Sequence, residues 1–559
     1  MKKKKTDKFN DKVAVVLSAI LGAVVFLLIY GPYSLDVTND AWILAQCFES
    51  DIIQNYAGWT QYRISSWQYP LGMADMIAYG DGTYITYTDS IPYVAIVCKL
   101  FRDVLPDTFQ YFGWFTLGCF VLQGIGACLL LKRRCRSYVG VLAGEIFFLT
   151  APELMVRAFK HTALGAHWFS LFALYYYLEY RSNKYAKLPW QLILLSTLTV
   201  GIHPYFLPIV MIFVLLSALE AFIKKYPIWK VISFLGVSVA SPYGMGVIIG
   251  ALGNDVKNTR GGYGYAALDL NTLFNPKRYG GYVWSHILPL GEEILDMKEG
   301  FYYLGLGIIL LTVVSIIVLV VEVMSNRNYI HKIADVLHKN RALICGMLFM
   351  TIFALSNKII WNDNIVFSYT LPEKILEYAN IFRASGRMFY PVYYLIMLAI
   401  IYYIVQIPWE KVRSVILLIA IVMQVTDMRD VLIYNHNLMK ENYDAETIMD
   451  DKVLADVKEK EVLVLIGTEN FELQRAYAVW AAQHDMGICY SIANTGKYGN
   501  CEMFAYTFMD NMANGLIQDE VVYATLDEDI IQQWRAVLKE RQKEYVEYKR
   551  GLCYFVYTE

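Results

Sequence analysis

The sequence has 559 residues, of which 57% are hydrophobic, and its mean hydropathy is +0.36. This composition excludes an ordinary set of soluble domains and is typical of a polytopic membrane protein. The formal net charge of −2 says little about partners, and we predict no nucleic-acid partner. The positions of the charges along the chain are therefore more informative than their sum.

The chain begins with a lysine-rich segment, followed by an apolar run from Val13 to Tyr30. No small-residue cleavage site follows this run, so we interpret it as a retained anchor, with a cleaved signal peptide as the alternative. Apolar windows of roughly 15 to 22 residues predict transmembrane helices, because a bilayer core of about 30 Å leaves no water for backbone groups. We count about eleven windows, at 13–30, 109–131, 138–153, 164–180, 188–202, 204–222, 228–252, 301–323, 341–356, 387–407 and 412–427.

Basic segments between these windows predict the orientation. If the spans alternate, the lysine-rich start falls on the same side as 132–136, 180–187, 224–230, 327–341 and 410–413. By the positive-inside rule this is the cytoplasmic side of the membrane, with the N-terminus inside. The charged segment Ile91–Leu105 is then an amphipathic helix at the outer interface. If it spans instead, every later loop changes side.

Hydropathy falls after Asp427 and the pattern changes. Val462–Gly467, GICYSIA and VVYATL predict strands, the segments 471–485 and 530–545 predict helices, and the closing YVEYKRGLCYFVYTE predicts a hairpin. The predicted fold is an all-α polytopic transmembrane domain over residues 1–427, with a C-terminal extracytoplasmic α/β domain over residues 428–559.

The first outer loop, residues 31–105, is the predicted catalytic loop. From Gly31 to Ser90 it contains seven acidic residues and one base, Arg63. Asp36 and Asp40 come after the first span four residues apart, so they share a face if the helix continues. One interpretation is that they only mark the interface and cap the segment after them. The other is that Asp40, with Asp36 as second choice, is a general base, a role typically worth about 10²–10⁴-fold in rate.

Further ionisable residues lie at the outer ends of predicted spans, where such groups are costly and are usually kept for pairing or function. Arginine binds phosphate bidentately. A sugar donor carried on a polyprenyl phosphate would present its phosphate at the membrane surface. We therefore predict that Arg383 and Arg387, followed by Arg157 and Lys160, bind the phosphate of such a donor. The alternative for Arg387 is that it anchors the start of its helix at the head groups.

Other polar and aromatic residues near these span ends are predicted contacts for the acceptor or the sugar: Asp89, His161, His167, His203, Trp42 and Tyr87. Aromatic rings stack on sugars, although an interfacial belt is the alternative. Three scattered histidines are a weak zinc signal, and no cofactor is certain. Since hard cations prefer oxygen ligands, Mg²⁺ or Mn²⁺ held by Asp40, Asp89 and Glu153 is the metal alternative. The glycine-containing segments lack a nucleotide-binding context, which fits a lipid-linked donor better than a nucleotide sugar.

Several segments together resemble the GT-C superfamily of integral-membrane glycosyltransferases. The pattern is one span, an outer loop with an early Asp, and a Pro-containing juxtamembrane helix in TDSIPYVAIVCKLF. More closely, the segments YPLGMADMIAYGDGTYITYTDSIP, HTALGAHW, FRASGRMFYPVYYL and AYAVWAAQHDMGI resemble an uncharacterised family of bacterial polytopic proteins grouped with GT-C enzymes. The WWD-type acceptor motif of oligosaccharyltransferases is absent, so the acceptor class is open.

The resemblance implies an inverting glycosyltransferase that takes a sugar from a polyprenyl-phosphate donor. The acceptor would be a glycan or glycolipid of the cell envelope on the outer face of the bilayer. The acidic residue that serves as base or metal ligand in the superfamily corresponds to Asp40, or less surely Asp36, and the second acid to Asp81 or Asp89. The alternatives are a transporter or flippase of a lipid-linked saccharide, whose usual inverted repeats we do not see, and a non-catalytic protein that binds an envelope polymer.

Overall fold

The structure is a computed structural model. It describes residues 9–46, 50–183, 187–252, 262–276, 282–289, 298–326, 328–362, 364–440, 457, 459–467, 471–490, 492, 499–550 and 553–558. The helices are α1 Asp11–Tyr30, α2 Ala41–Leu44, α3 Ile52–Ile64, α4 Pro92–Leu100, α5 Phe112–Leu131, α6 Tyr138–Leu149, α7 Pro152–Arg157, α8 Trp168–Ser182, α9 Gln191–Ile202, α10 Phe206–Ile223, α11 Ile228–Ile249, α12 Leu306–Ser325, α13 Asn328–Lys339, α14 Arg341–Leu355, α15 Glu373–Asn380, α16 Tyr390–Val405, α17 Glu410–Asp427, α18 Arg429–Leu438, α19 Phe471–Gln483, α20 Gly499–Ala513 and α21 Glu528–Glu540. The strands are β1 Met73–Ala74, β2 Thr83–Tyr84, β3 Lys358–Trp361, β4 Asn364–Ser368, β5 Val462–Ile466, β6 Gly487–Ile488, β7 Val521–Thr525, β8 Val546–Arg550 and β9 Cys553–Tyr557.

Six of the described helical segments are long and apolar enough to cross a membrane. They are α1, α5, α10, α11, α12 and the segment Ser385–Val405, which contains α16. The bent pair α13 and α14 makes a seventh if it is counted as one span. The chain is thus a predominantly helical protein of the multi-pass membrane type, but the predicted count of about eleven spans is not supported.

The difference in the count has a physical reason. Every predicted window coincides with a helix, but α6 and α9 have 12 residues each and α8 and α14 have 15. At 1.5 Å per residue these helices extend only about 18–22 Å, less than the hydrocarbon core of about 30 Å. The helix α17 is longer but carries four charged residues.

Small residues let the first long helices pack closely. A Cβ atom on Gly22 of α1 would lie 2.5 Å from the carbonyl oxygen of Phe120 on α5, and one on Gly124 would lie 2.7 Å from that of Ser18. At one end of this helix pair, Asp11 forms ion pairs with Lys132 at 3.3 Å and Arg136 at 2.5 Å. The first loop leaves α1 at the opposite end.

The first loop folds into α2, α3, the two-stranded sheet β1–β2 and α4. The nine-residue helix α4 is too short to cross a membrane, which agrees with the prediction that Ile91–Leu105 is not a span. The helix α3 is buried over most of its length, from Ile52 to Tyr62. Its buried polar side chains therefore need protein partners. Some of these partners come from the C-terminal α/β unit.

The C-terminal part of the chain, where the sequence predicts an α/β unit, contains a five-stranded sheet in the order β6-β5-β7-β9-β8. The first three strands are parallel, and β9 runs antiparallel to both β7 and β8. Each predicted strand and helix is present, whereas α20 and the β3–β4 hairpin were not predicted. The helix α18 packs against α1, so the chain still belongs to the helical bundle after Asp427.

The α/β unit is joined to the first loop by backbone pairing. The amide of Ile488 in β6 donates to the carbonyl of Met76 at 2.8 Å, and the amide of Tyr79 donates to the carbonyl of Ile488 at 2.9 Å. The Gln61 amide of α3 also donates to the carbonyls of Ala478 and Met486. The first loop thus covers the β6 edge of the sheet, which would otherwise have unpaired backbone groups.

Candidate functional site

Charged side chains from separate segments meet where the first loop covers the helix ends. The centre is an ionic cluster of Glu153, Arg157, Glu299 and Arg387. Glu153 and Arg157 lie one turn apart on α7, whose start is favoured by a proline at its first position. Arg157 Nε lies 2.8 Å from Glu153 Oε1, and neither side chain is exposed to solvent. Burial raises the pKa of Glu153 to about 7, although Arg157 opposes this shift.

Glu299 joins two arginines from distant parts of the chain. Its Oε2 atom lies 2.8 Å from Arg157 Nη2 and 2.9 Å from Arg387 Nε, and its Oε1 atom lies 2.6 Å from Arg387 Nη2. The Arg387 contact is therefore bidentate, the stronger form of such pairs. Burial alone would raise the pKa of Glu299, but Arg157 and Arg387 outweigh it and hold that pKa well below its usual range.

A second set of charges lies beside this cluster, around Asp51 of the loop between α2 and α3. His161 Nε2 lies 3.0 Å from Asp51 Oδ2, and Arg475 Nη1 of α19 lies 3.4 Å from Asp51 Oδ1. Arg475 also donates to Gln54 of α3 at 2.5 Å. Burial would raise the pKa of Asp51, but His161, Arg475 and Arg387 lower it to about 2. The α/β unit thus contributes a buried cation to the same site.

Asp89, at the end of the first loop, faces His203 from the turn between α9 and α10. The distance from His203 Nε2 to Asp89 Oδ1 is 3.6 Å, and 37% of the Asp89 side-chain surface is exposed. Asp89 has a left-handed φ of 56°, and Ile91 has 53°. Such values for non-glycine residues store about 1–3 kcal/mol each and are often found at functional sites. They turn this loop as it enters α4.

The environment of Asp89 raises the pKa of its carboxyl group above the usual range of an aspartate. Burial raises the pKa of Asp89 to about 6, with Arg387 lowering it and Asp51 raising it further. Burial and the charges of Arg387 and His161 lower the pKa of His203 well below its usual range. The Tyr205 amide donates to His203 Nδ1 at 3.2 Å, so the single proton of the neutral ring lies on Nε2, the nitrogen that faces Asp89.

The turn between α15 and α16 carries the two arginines predicted to bind phosphate. The Tyr205 hydroxyl accepts a hydrogen bond from the Ala384 amide at 3.1 Å, and the Tyr205 ring lies 4.6 Å from Arg387 Cζ. Arg387 is committed to Glu299, whereas the half-buried Arg383 has no ion pair among the described residues. We call the partly exposed residues Asp51, Asp89, His161 and Arg383 the open site.

Asp40 and Asp36 lie in other surroundings. Asp40 precedes α2 and accepts a hydrogen bond from the Tyr56 hydroxyl at 2.8 Å. Burial raises the pKa of Asp40, and arginines are not among the groups that shift it in the described part of the chain. Asp36 is exposed and accepts hydrogen bonds from the amide and hydroxyl of Thr38, which lower its pKa. The predicted catalytic pair is therefore not one carboxylate pair on a shared helix face.

Three of the predicted contact residues have structural partners. Trp42 is fully buried, with its ring centroid 5.0 Å from that of Phe159, so its ring is not available to stack on a sugar in this arrangement. The buried His167 ring shares a hydrogen bond of 2.7 Å with the Tyr394 hydroxyl. Tyr87 is half-buried, with its ring centroid 6.2 Å from that of Tyr84. Packing accounts for the first two residues without a ligand.

Lys160 lines a crevice rather than the ionic cluster. Its Nζ atom lies 4.2 Å from the centroid of the Tyr282 ring, a cation–π distance. Tyr30, Trp284 and Asn435 are among the residues that line this crevice. Lys160 and Arg157 are three residues apart in the sequence but have different neighbours in the structure, an aromatic ring for Lys160 and two carboxylates for Arg157.

The predicted metal alternative is not supported by the geometry. Within the described ranges, no three His, Cys, Asp or Glu side chains are arranged to hold a metal ion. The three proposed ligands have different neighbours: Asp40 has Tyr56, Asp89 has His203, and Glu153 has Arg157.

Sequence reasoning missed three members of the site: Asp51, Glu299 and Arg475. Asp51 was counted among the loop acids but not selected, and Glu299 lies near the end of a long loop without a recognisable motif. Arg475 gave a weak signal, because it is the only arginine in the alanine-rich predicted helix at 471–485. Their convergence depends on contacts between segments far apart in the chain.

A family profile described as a domain of unknown function, DUF6311, matches residues 19–429. The chain belongs to this family. The matched range covers the helical part, including the ionic cluster, and ends two residues after α17. No curated protein matches the sequence. Arg475 and the rest of the α/β unit lie outside the matched range.

Proposed function

We propose that this member of the DUF6311 family is a glycosyltransferase that moves a sugar from a polyprenyl-phosphate donor to a cell-envelope acceptor. It would act on the outer face of a bacterial plasma membrane and have an inverting mechanism. The observation that carries the proposal is the convergence of Asp51 and Asp89 of the first loop with Arg387 and Arg475, which come from two other segments of the chain. These are the residue types that proton transfer and phosphate binding require.

Asp89 is the base that the geometry favours. A general base is most effective when its pKa lies near the working pH, and burial raises the pKa of Asp89 to about 6. The neutral His203 ring presents its Nε2 proton toward one Asp89 oxygen, which leaves the other oxygen for an acceptor hydroxyl. That hydroxyl oxygen would bond to the anomeric carbon as its proton moves to Asp89.

The same step breaks the bond between the anomeric carbon and the phosphate oxygen, and the polyprenyl phosphate leaves. Arg383 supplies a guanidinium group without an ion pair in the described part of the chain, so it can bind this phosphate. Arg387 adds positive charge near this position, but its guanidinium group is already held by Glu299 in a bidentate contact. Its role is therefore to keep the turn in place and contribute to the local field.

Asp40 remains the second candidate for the base because of its position after the first span and the resemblance to GT-C enzymes. The rival carboxylates can be separated with the purified full chain and a panel of synthetic polyprenyl-phosphate sugars. A library of envelope glycans and glycolipids would serve as acceptors, and mass spectrometry would detect the product. We expect Asp89→Asn to lower the rate of product formation by about 10²–10⁴-fold and Asp40→Asn to lower it by less than about 10-fold.

The donor and acceptor classes can be identified first in a deletion strain. Mass spectrometry of surface glycans and glycolipids should show the loss of one sugar, and the wild-type gene should restore it. Loss of a surface saccharide together with vesicle translocation of the lipid-linked form, without covalent transfer, would replace the transferase with a flippase. An unchanged glycan profile and no transfer in the panel would reject the proposal.

A further inference from the structure

The segment that precedes Arg383 has an unusual surface. The β3–β4 hairpin follows the end of α14 directly, and α15 follows the hairpin. Every residue of β4 is exposed, including Ile365, Val366 and Phe367. The helix α15 adds Ile375 and Tyr378 to the exposed apolar surface. These exposed apolar side chains belong to consecutive elements of the chain, and exposed apolar patches mark contacts with a membrane or another protein.

The neighbouring span indicates which contact this is. Exposed side chains of α14, such as Phe349 and Ile352, continue the apolar surface along a helix that belongs to a bent candidate span. With 15 residues α14 extends only about 22 Å, so it does not cover a hydrocarbon core of about 30 Å by itself. The hairpin follows the end of α14 in the chain, so its exposed apolar side chains can extend the lipid-facing surface that α14 is too short to provide alone.

The backbone of the hairpin limits its depth. One side of β3 is held by a bridge between Ile360 and Asp269, and its other side pairs with β4. No strand pairs with the outer side of β4 in the described part of the chain, so its outward backbone groups need hydrogen bonds from solvent. Open sheet edges do not occur against hydrocarbon. The hairpin must therefore lie at the head-group level and not within the bilayer core.

The helix α15 has the two-sided pattern of an interfacial helix. Ile375 and Tyr378 are three residues apart on one side, whereas Glu373, Lys374 and Glu377 are exposed charged residues. Such helices lie in the plane of the membrane surface. The end of α15 is fixed to the bundle because Asn380 Oδ1 accepts hydrogen bonds from the amides of Gly262 and Tyr263, at 3.2 and 3.1 Å.

We propose that β3, β4 and α15 form a ledge that binds the phospholipid surface, with its aliphatic and aromatic side chains among the upper acyl chains. The ledge places Arg383, three residues after α15, at the depth of lipid phosphates. This inference concerns the bilayer itself and does not depend on the transferase proposal.

The test uses the full chain in vesicles of phosphatidylcholine and phosphatidylglycerol. A genetically encoded fluorescent amino acid replaces Tyr378 or Val366, one variant at a time, and size-exclusion chromatography checks that each variant is folded. Matched controls carry the same label at Tyr506 and Leu516 of the α/β unit. Their exposures of 68% and 54% match the 71% and 57% of the test positions.

We expect both ledge labels to emit at shorter wavelength than the controls and to lose emission with lipids that carry a doxyl quencher near the head group. Loss should be smaller with a quencher near the chain end and smallest with aqueous iodide. Iodide quenching equal to the controls would overturn the ledge, because the surface would face water. Stronger quenching from the chain end would overturn the assigned depth. Protection from all three quenchers would overturn the lipid partner in favour of a protein contact.

Discussion

The ionic cluster and the open site are neighbours that differ in burial and in the pairing of their charges. In the ionic cluster, buried acids and arginines alternate at distances of 2.6–2.9 Å. In the open site, Asp89 lies 3.6 Å from a neutral histidine and Arg383 has no ion pair within the described ranges. A buried charge that loses its partner strongly destabilises the fold, so we interpret the ionic cluster as a group that stabilises the structure. The second group has side chains that a ligand can reach. The comparison predicts loss of folding from changes in one group and loss of activity from changes in the other.

The largest expected effect is that of Glu299→Gln. It leaves Arg157 and Arg387 without their shared anion, and breaking a buried pair costs about 3–5 kcal/mol. We expect the variant to lose thermal stability in detergent and to be recovered in low yield. The matched control is Glu528→Gln, which removes an exposed ion pair with Lys549 and should leave the stability nearly unchanged, because exposed ion pairs contribute little. Equal stability of the two variants would contradict this stabilising role.

Asp89→Asn should leave the fold intact and lower turnover by about 10²–10⁴-fold, the usual worth of a general base. The wild-type rate should rise with pH around the pKa of about 6 that burial gives Asp89, since the base acts only when ionised. The control is Asp103→Asn, which changes an exposed acid that is paired with its neighbour Arg102. A normal rate for the Asp89 variant would remove the open site from the chemistry.

Arg383→Gln should weaken donor binding by about 10–100-fold, because a charge-assisted hydrogen bond contributes about 1.5–3 kcal/mol. The effect should appear in KM more than in kcat. Arg383→Lys keeps the charge but loses the bidentate geometry, so it should recover only part of the affinity. A KM that is unchanged in both variants would contradict phosphate binding at this position.

A smaller effect is expected from the Asp51 pair. The folded-state pKa of Asp51 is lowered to about 2 by His161 and Arg475 against burial, so its contribution is present above the unfolded value near 4 and is lost as pH falls toward 2. Because the side chain is one-third exposed, we expect no more than about 1 kcal/mol after screening. The stability gap between wild type and Asp51→Asn should be present at pH 6 and narrow below pH 4. A constant gap would exclude this ionic contribution.

The smallest effect is expected for Asp40→Asn, which changes one hydrogen bond with Tyr56 worth about 1 kcal/mol. Turnover should fall by less than about 10-fold. The matching change on the other partner, Tyr56→Phe, should have a similar effect. If Asp40→Asn instead lowers turnover as much as Asp89→Asn while Tyr56→Phe does not, Asp40 is the base. The open site would then not contain the catalytic carboxylate.

Local patterns in the sequence determined a large part of this protein. Apolar windows located the helices, because burying apolar surface in lipid requires long apolar runs. In the α/β unit, the apolar run at Val462 and the alternation of apolar and polar residues in Val546–Arg550 specified strands, because side chains alternate across a sheet. The length of α6 was overestimated, since hydropathy does not reveal where a helix ends.

Tertiary structure decided which charges meet. Nothing local distinguishes Glu299 from other loop acids, and Arg475 lies more than 300 residues from Asp51, so neither contact follows from periodicity or spacing. The choice between Asp40 and Asp89 was equally non-local, because burial raises the pKa of Asp40, whereas burial and the charges of distant arginines together set the pKa of Asp89. Sequence by itself determined the elements of this protein, where free energy depends on neighbours along the chain. Only the fold determined the electrostatic site, where free energy depends on neighbours in space.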